Sequence, residues 1–172
     1  MDFFDVVNAR RSIRAYKDQP VEPMKLHRIL ESINAAPSAG NLQAFEIYLV
    51  EEPAHKAELV KAAREQQFLA EAPVVLVFCT RGSRAVERYG QRGTELYCIQ
   101  DATIACTFAM LAAAALGLSS VWVGSFDEKQ VAGAICAADG DRPVAILPVG
   151  YPAETPDPKA RRGLEELVHR VT

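Results

Sequence analysis

From Ala102 to Phe126 the chain carries no charged side chain. A stretch of that length has to be hidden, either in lipid or inside a fold. It is mostly alanine, with Thr103, Thr107, Ser119 and Ser120 interspersed and Gly117 interrupting it. That makeup predicts a buried helix followed by a buried strand rather than a membrane span. The helical pattern covers Thr94–Leu116 and is apolar all round from Ile104 onward, as in a core helix, and Ser119–Val123 reads as the strand.

The rest of the chain supplies elements to surround that pair. Phe3, Phe4, Val6 and Val7 are expected on the inner face of a short first helix. Pro23 opens a second helix, where its missing N–H costs nothing, and Leu26, Ile29, Leu30 and Ile33 follow amphipathic spacing. Phe45–Val50 reads as a strand, Ala54–Gln67 as a helix, and Pro73–Cys79 as a central strand covered on both faces. Gly82–Gly93, polar and glycine-containing, is expected to be a mobile loop or a short irregular helix. Asp127 caps a helix over Glu128–Cys136, and Pro143–Val149 is a last buried strand. After Gly150-Tyr151-Pro152 an extended arm, Ala153–Arg162, leads to an amphipathic tail, Leu164–Val171. Helices and strands alternate about one sheet, which predicts a mixed α and β protein with a single domain over residues 1–172.

Composition narrows the function classes. A formal net charge of −3 argues against a general nucleic-acid binder, and no signal peptide is read at the N-terminus. Cys79, Cys98, Cys106 and Cys136 form no C-x-x-C pair and read as reduced, buried small hydrophobes of a cytoplasmic protein, with no metal site. His27, His55 and His169 read as surface histidines. There is no G-x-S-x-G, H-E-x-x-H, P-loop or G-x-G-x-x-G motif. With no nucleophile–base pair, no catalytic side chain is assigned, and a bound cofactor is expected to carry the reactivity.

Positive charge is local. Arg10-Arg11-Ser12-Ile13-Arg14 sets three guanidiniums and a hydroxyl within five residues, either a solvated surface cluster or a phosphate cradle. Arg161-Arg162 on the arm is a second basic pair, solvated or joined to the first. Ser38-Ala39-Gly40-Asn41-Leu42-Gln43 is either a helix-terminating turn or a set of carboxamides suited to a heterocycle edge. Gly124-Ser125-Phe126-Asp127 either makes an ordinary strand-to-helix turn or offers free N–H groups to a ligand.

These segments together resemble the nitroreductase family of FMN-dependent oxidoreductases. The matching blocks run in family order: Arg10–Tyr16, Ala36–Gln43, Gln67–Pro73, Trp122–Asp127, Leu147–Pro152 and Lys159–Val168. Gln100-Asp101-Ala102 and the alanine-rich helix after it resemble the family's long central helix. The resemblance implies an α+β single domain, with a mainly antiparallel central sheet flanked by helices. It also implies a homodimer with an exchanged C-terminal arm and an FMN site at the subunit interface. By the same resemblance Arg10, Ser12 and Arg14, with Arg11 beside them, hold the FMN phosphate and ribityl chain. Arg161, with or without Arg162, closes on that phosphate. Pro37, Ser38, Asn41 and Gln43 approach from the partner subunit. Gln67 lies near the ring or ribityl chain, and Gly124 and Ser125 lie over the isoalloxazine. Ala44-Phe45 stands where the family often has Pro-Trp, and Gly163 where a proline is common.

The function so implied is electron transfer from NADH or NADPH, by a ping-pong mechanism, to small-molecule acceptors such as nitroaromatics or quinones. The alternatives are a reductive dehalogenase or dehydrogenase of the same fold, or a non-enzymatic FMN-binding protein. Neither a nucleic-acid nor a membrane partner is expected.

Overall fold

The computed structural model describes residues 2–171. A sheet of four antiparallel strands in the order β1-β2-β4-β3 is its centre: β1 (Phe45–Val50), β2 (Val74–Arg81), β3 (Ser119–Ser120) and β4 (Asp141–Gly150). The apolar run predicted for the middle of the sheet is β2, buried from Val74 through Thr80. Alternate β2 side chains serve opposite faces, as the two-residue period of a strand requires. Val75, Val77 and Cys79 pack with Leu59 and Val60 of α3 (Pro53–Ala62), Leu69 of α4 (Phe68–Glu71) and Val131 of α7 (Glu128–Ala134). Val74, Leu76 and Phe78 pack with Ile29 and Ile33 of α2 (Pro23–Asn34) and with Ala105, Cys106, Ala109 and Ala113 of α6 (Cys98–Ala115).

Local chemistry sets the element ends. Pro23 occupies the first turn of α2. Asp127 accepts from Gln130 N at 2.9 Å and starts α7. Asp2 and Asp5 cap α1 (Phe3–Ala9) reciprocally.

Several expectations are resolved or change. Of the two alternatives for Gly82–Gly93 the short irregular helix holds: α5 (Ser83–Arg92) is bent at Gly90 (φ 55°) and runs through a wide turn, Gly93–Tyr97, into α6. Only Ala85 of α5 is buried, so the apolar stripe that marks a helix in sequence is missing. The helix expected to reach Gln67 stops at Ala62, because Arg64 (φ 58°) and Glu65 (φ 60°) turn the chain through the left-handed region without a glycine. In α1 only Val6 is buried, whereas Phe3 and Phe4 are 64% and 73% exposed; Phe108 and Thr107 likewise leave one side of α6 open. Cys136, expected to be buried, is exposed. The continuous run Ser83–Ala115 is long and apolar enough to cross a bilayer, but its alanine face is packed on the sheet.

Candidate cofactor site

The two basic segments, 147 positions apart at Arg14 and Arg161, meet in space because each is tied to the same sheet edge. α1 ends at Arg10, and the chain then runs extended beside β3, with Ile13 N bonded to Ser120 O at 3.2 Å. From the other end, the arm after β4 docks on the same stretch. Lys17 N donates to Tyr151 O and Ala153 N to Ala15 O, both at 2.9 Å, and the Glu154 carboxylate accepts from Arg14 N. The result is an open groove of about 800 Å³, lined by Arg10, Arg11, Ser12, Arg14, Lys159 and Arg161 together with Val7, Asn8 and Pro156–Pro158. Asp157 is the one carboxylate among these lining residues, against five cationic side chains.

The cations are not equivalent. Arg10 Nη1 is buried and has no hydrogen-bond partner. Burial, then the charges of Arg161 and Arg11, hold the Arg10 guanidinium below its ordinary pKa. Leaving a guanidinium donor unpaired and facing like charge is costly, and an anion in the groove relieves both penalties. Arg11 instead donates to Asn8 O and Arg10 O at 2.6 and 2.9 Å, capping the carbonyl end of α1. Arg162 bonds Glu166 O at 3.0 Å and does not line the groove, so Arg161 is the member of that pair that does. Lys159 was not anticipated. In an extended arm residues two apart share a side, and that period separates Lys159 and Arg161 from Arg162.

Gly124 and Ser125 lie further along the edge that Ser12 borders. Val123 and Ile146 exchange backbone bonds at 2.9 and 3.0 Å, carrying the chain out from β3. At about 3.3 Å per residue, Gly124 is at most about 13 Å from Ser120. Both residues are exposed, beside the Arg64–Gln67 corner, where Gln66 Nε2 donates to Ser125 O at 3.3 Å. Gln66, rather than Gln67, makes this contact; Gln67 is exposed at the start of α4.

Pro37, Ser38, Asn41 and Gln43 are placed elsewhere. Ala39 N bonds the Asp101 carboxylate at 2.9 Å and Gln43 N bonds Ser38 Oγ at 3.0 Å. Gly40, Asn41 and Gln43 all have positive φ (56°, 57° and 49°), and Arg84 and Arg88 of α5 donate to the carbonyls of Gln43 and Gly40. None of the four lines the basic groove of the same chain. The two halves of the sequence-derived site therefore do not share this groove.

No acid–base pair accompanies these surfaces. His55 Nδ1 lies 2.7 Å from Ala134 O, His27 is an exposed partner of Glu31, and His169 is exposed. Burial pushes the Cys79 thiol up to about 12 and raises Cys106 as well, so both are inert as thiolates at neutral pH.

The antiparallel sheet with helices on both faces is the architecture of a recognised class of protein. The profile of the Nitroreductase family matches residues 7–68 and 61–151, and the chain belongs to that family. A protein named NADH dehydrogenase from Thermus thermophilus is 33% identical over 186 residues, covering 92% of this chain and 91% of its own. An FMN reductase [NAD(P)H] of Bacillus subtilis is 30% identical, covering 94% and 70%. The structure of B. megaterium NfrA2 superposes with a TM-score of 0.91 at 29% identity, over 100% of this chain and 75% of that one.

Proposed function

We propose that residues 1–172 form one FMN-binding domain and that the protein is a homodimeric, cytoplasmic NAD(P)H-dependent flavin oxidoreductase. The observation that carries this reading is the convergence of Arg10, Arg14, Lys159 and Arg161 on one groove, with a buried Arg10 donor unpaired. That donor set fits a phosphate ester: guanidinium forks and an ammonium match its oxygens, and the Ser12 hydroxyl adds a further donor.

FMN held there would supply the hydride and electron chemistry of a ping-pong reaction between NADH or NADPH and nitroaromatic, quinone or similar acceptors. The chain's own part is binding and orientation. Arg10, Ser12, Arg14 and Arg161 anchor the phosphate, Lys159 adds charge, and Arg11 keeps the end of α1 in place. Gly124 and Ser125 present backbone N–H groups to the ring, with Gln67 beside it. Pro37, Ser38, Asn41 and Gln43 border the ring from the partner subunit, which accounts for their absence from the groove within one protomer. The exposed apolar sides of α1 and α6, with Leu164 and Leu167 (75% and 52% exposed) on the arm's end, form the dimer contact. The absence of an acid–base pair suits chemistry in which no side chain moves a proton.

Ultrafiltered protein is expected to be yellow with stoichiometric FMN, and to oxidise NADH or NADPH when nitrofurazone or menadione is supplied. Colourless protein that takes up no FMN at micromolar concentration overturns the proposal.

A further inference from the structure

Helix α5 and the wide turn after it carry a row of side chains that cofactor anchoring leaves without a role. Arg84 and Arg88 lie over the Ser38–Gln43 turn, donating to Gln43 O and Gly40 O at 3.3 Å each. The Arg88 guanidinium is 5.3 Å from the Tyr89 ring centre, and Tyr89 meets Tyr97 edge to face at 5.1 Å. Arg92 stands 5.4 Å from the Tyr97 ring centre, with Nε 3.1 Å from its hydroxyl. Arg88, Tyr89, Tyr97 and Arg92 thus form an unbroken row of two cations and two aromatic rings.

Among the described residues neither Arg88 nor Arg92 pairs with a carboxylate. Glu95 accepts from Gln91 Nε2 at 2.8 Å, and Glu46 is taken by Arg81 at 3.1 Å while standing 3.7 Å from Arg84. A 3.3 Å bond to a neutral carbonyl is long for a guanidinium and uses one of its five N–H groups, so most donors on the row stay open.

We propose that this row is a subsite for the phosphorylated adenosine end of the reductant, and that the 2′-phosphate makes NADPH preferred over NADH. The inference rests on the flavoprotein reading above, in which the Ser38–Gln43 turn borders the cofactor ring. A compact aromatic acceptor sits at the ring itself, whereas the row lies beyond the turn. The row adjoins the turn through Arg84 and Arg88, so a reductant with a second, phosphorylated end would engage both. Its 2′-phosphate suits the arginine forks and its purine suits the tyrosine faces.

Calorimetric titration of the FMN-loaded protein with two inert fragments tests this without turnover. Adenosine 2′,5′-bisphosphate is expected to bind at least about tenfold more tightly than 5′-AMP. In the Arg88→Gln/Arg92→Gln double variant that advantage is expected to collapse, with 5′-AMP affinity held within about twofold. In turnover, KM for NADPH rises about tenfold in the double variant while kcat and the NADH constants hold. If the double variant loses FMN, Arg92→Gln alone carries the same test, with an expected loss of about threefold. Equal affinity for the two fragments in the native protein, or an unchanged advantage in the variants, overturns the subsite. Yellow, active protein that favours NADH refutes only this inference; colourless protein inert with both reductants refutes the flavoprotein reading beneath it.

Discussion

Replacing Arg10 by glutamine is expected to move the stability of the protein in opposite directions with and without cofactor. Within the chain Arg10 Nη1 is buried without a protein partner and the group is crowded by Arg161 and Arg11. An unsatisfied buried donor costs about 1–3 kcal/mol. Glutamine removes that cost and the like-charge contact but gives up some packing of the longer arginine stem, for a net gain of about 0.5–1 kcal/mol. For a chain of this length that is about 1–4 °C in Tm. With FMN bound, the same arginine makes charge-assisted hydrogen bonds to phosphate worth about 1.5–3 kcal/mol, so affinity falls about ten- to a hundredfold. At a concentration of FMN a hundred times the native Kd, cofactor stabilises the native protein by about 2.7 kcal/mol. A thirtyfold weaker variant keeps only about 0.9 kcal/mol of that, which shrinks its cofactor-induced Tm rise by about 4–7 °C. Differential scanning fluorimetry with and without FMN, alongside quenching of flavin fluorescence for Kd, reads both effects. Native affinity in the variant, or a free form that melts several degrees lower, refutes the reasoning.

Arg161→Gln is expected to weaken FMN binding about tenfold, whereas Arg162→Gln, whose side chain turns to Glu166, changes it less than about twofold in the same titration. Asp141→Asn is expected to cost about 2–3 kcal/mol in urea denaturation at neutral pH, because the buried carboxylate receives Arg81 at two bonds of 2.7 Å and Tyr48 at 2.6 Å. The bonds from Arg81, and then Tyr48, hold its folded pKa below the ordinary value. Its contribution is therefore complete above the unfolded carboxylate pKa of about 3.9 and disappears as pH falls through the folded one, so the native–variant gap should close in acid. Gly40→Ala places a Cβ 2.6 Å from Tyr89 Oη and 2.7 Å from Arg88 Nη1 at a φ of +56°, and is expected to lower Tm by several degrees. Phe3→Ser/Phe4→Ser is expected to shift the protein from dimer toward monomer in sedimentation velocity without unfolding the chain; an unchanged dimer removes α1 from the contact.

Much of the fold was legible because burial in a two-faced sheet leaves plain marks. Phe45–Val50 was read to the residue, and the β2 run declared itself by having no polar side chain before Thr80. Pro23 and Asp127 marked helix starts through chemistry that depends on position alone. What escaped had no such mark. α5 buries a single alanine, which left loop and short irregular helix both open there, and the Arg64–Glu65 corner bends without the glycine that normally announces a positive φ. Exposed Phe3, Phe4 and Phe108 show another limit: an apolar side chain in the sequence does not say whether its own chain covers it. Within the site, the meeting of Arg10 with Arg161 lies beyond any local period and was reachable only through the family resemblance. Lys159 needed only the two-residue alternation of the extended arm.

The arm's docking on residues 14–17 also ties cofactor retention to the integrity of both chain ends. The sheet is complete at Gly150, and the core beneath it takes no side chain from beyond Tyr151. A single cleavage in the exposed Asp157–Ala160 stretch would thus leave a folded body without Arg161, half of the proposed phosphate clamp. Loss of colour under limited proteolysis should therefore precede loss of helical circular dichroism. Yellow protein would, in that sense, certify that the arm is in place as far as Arg161.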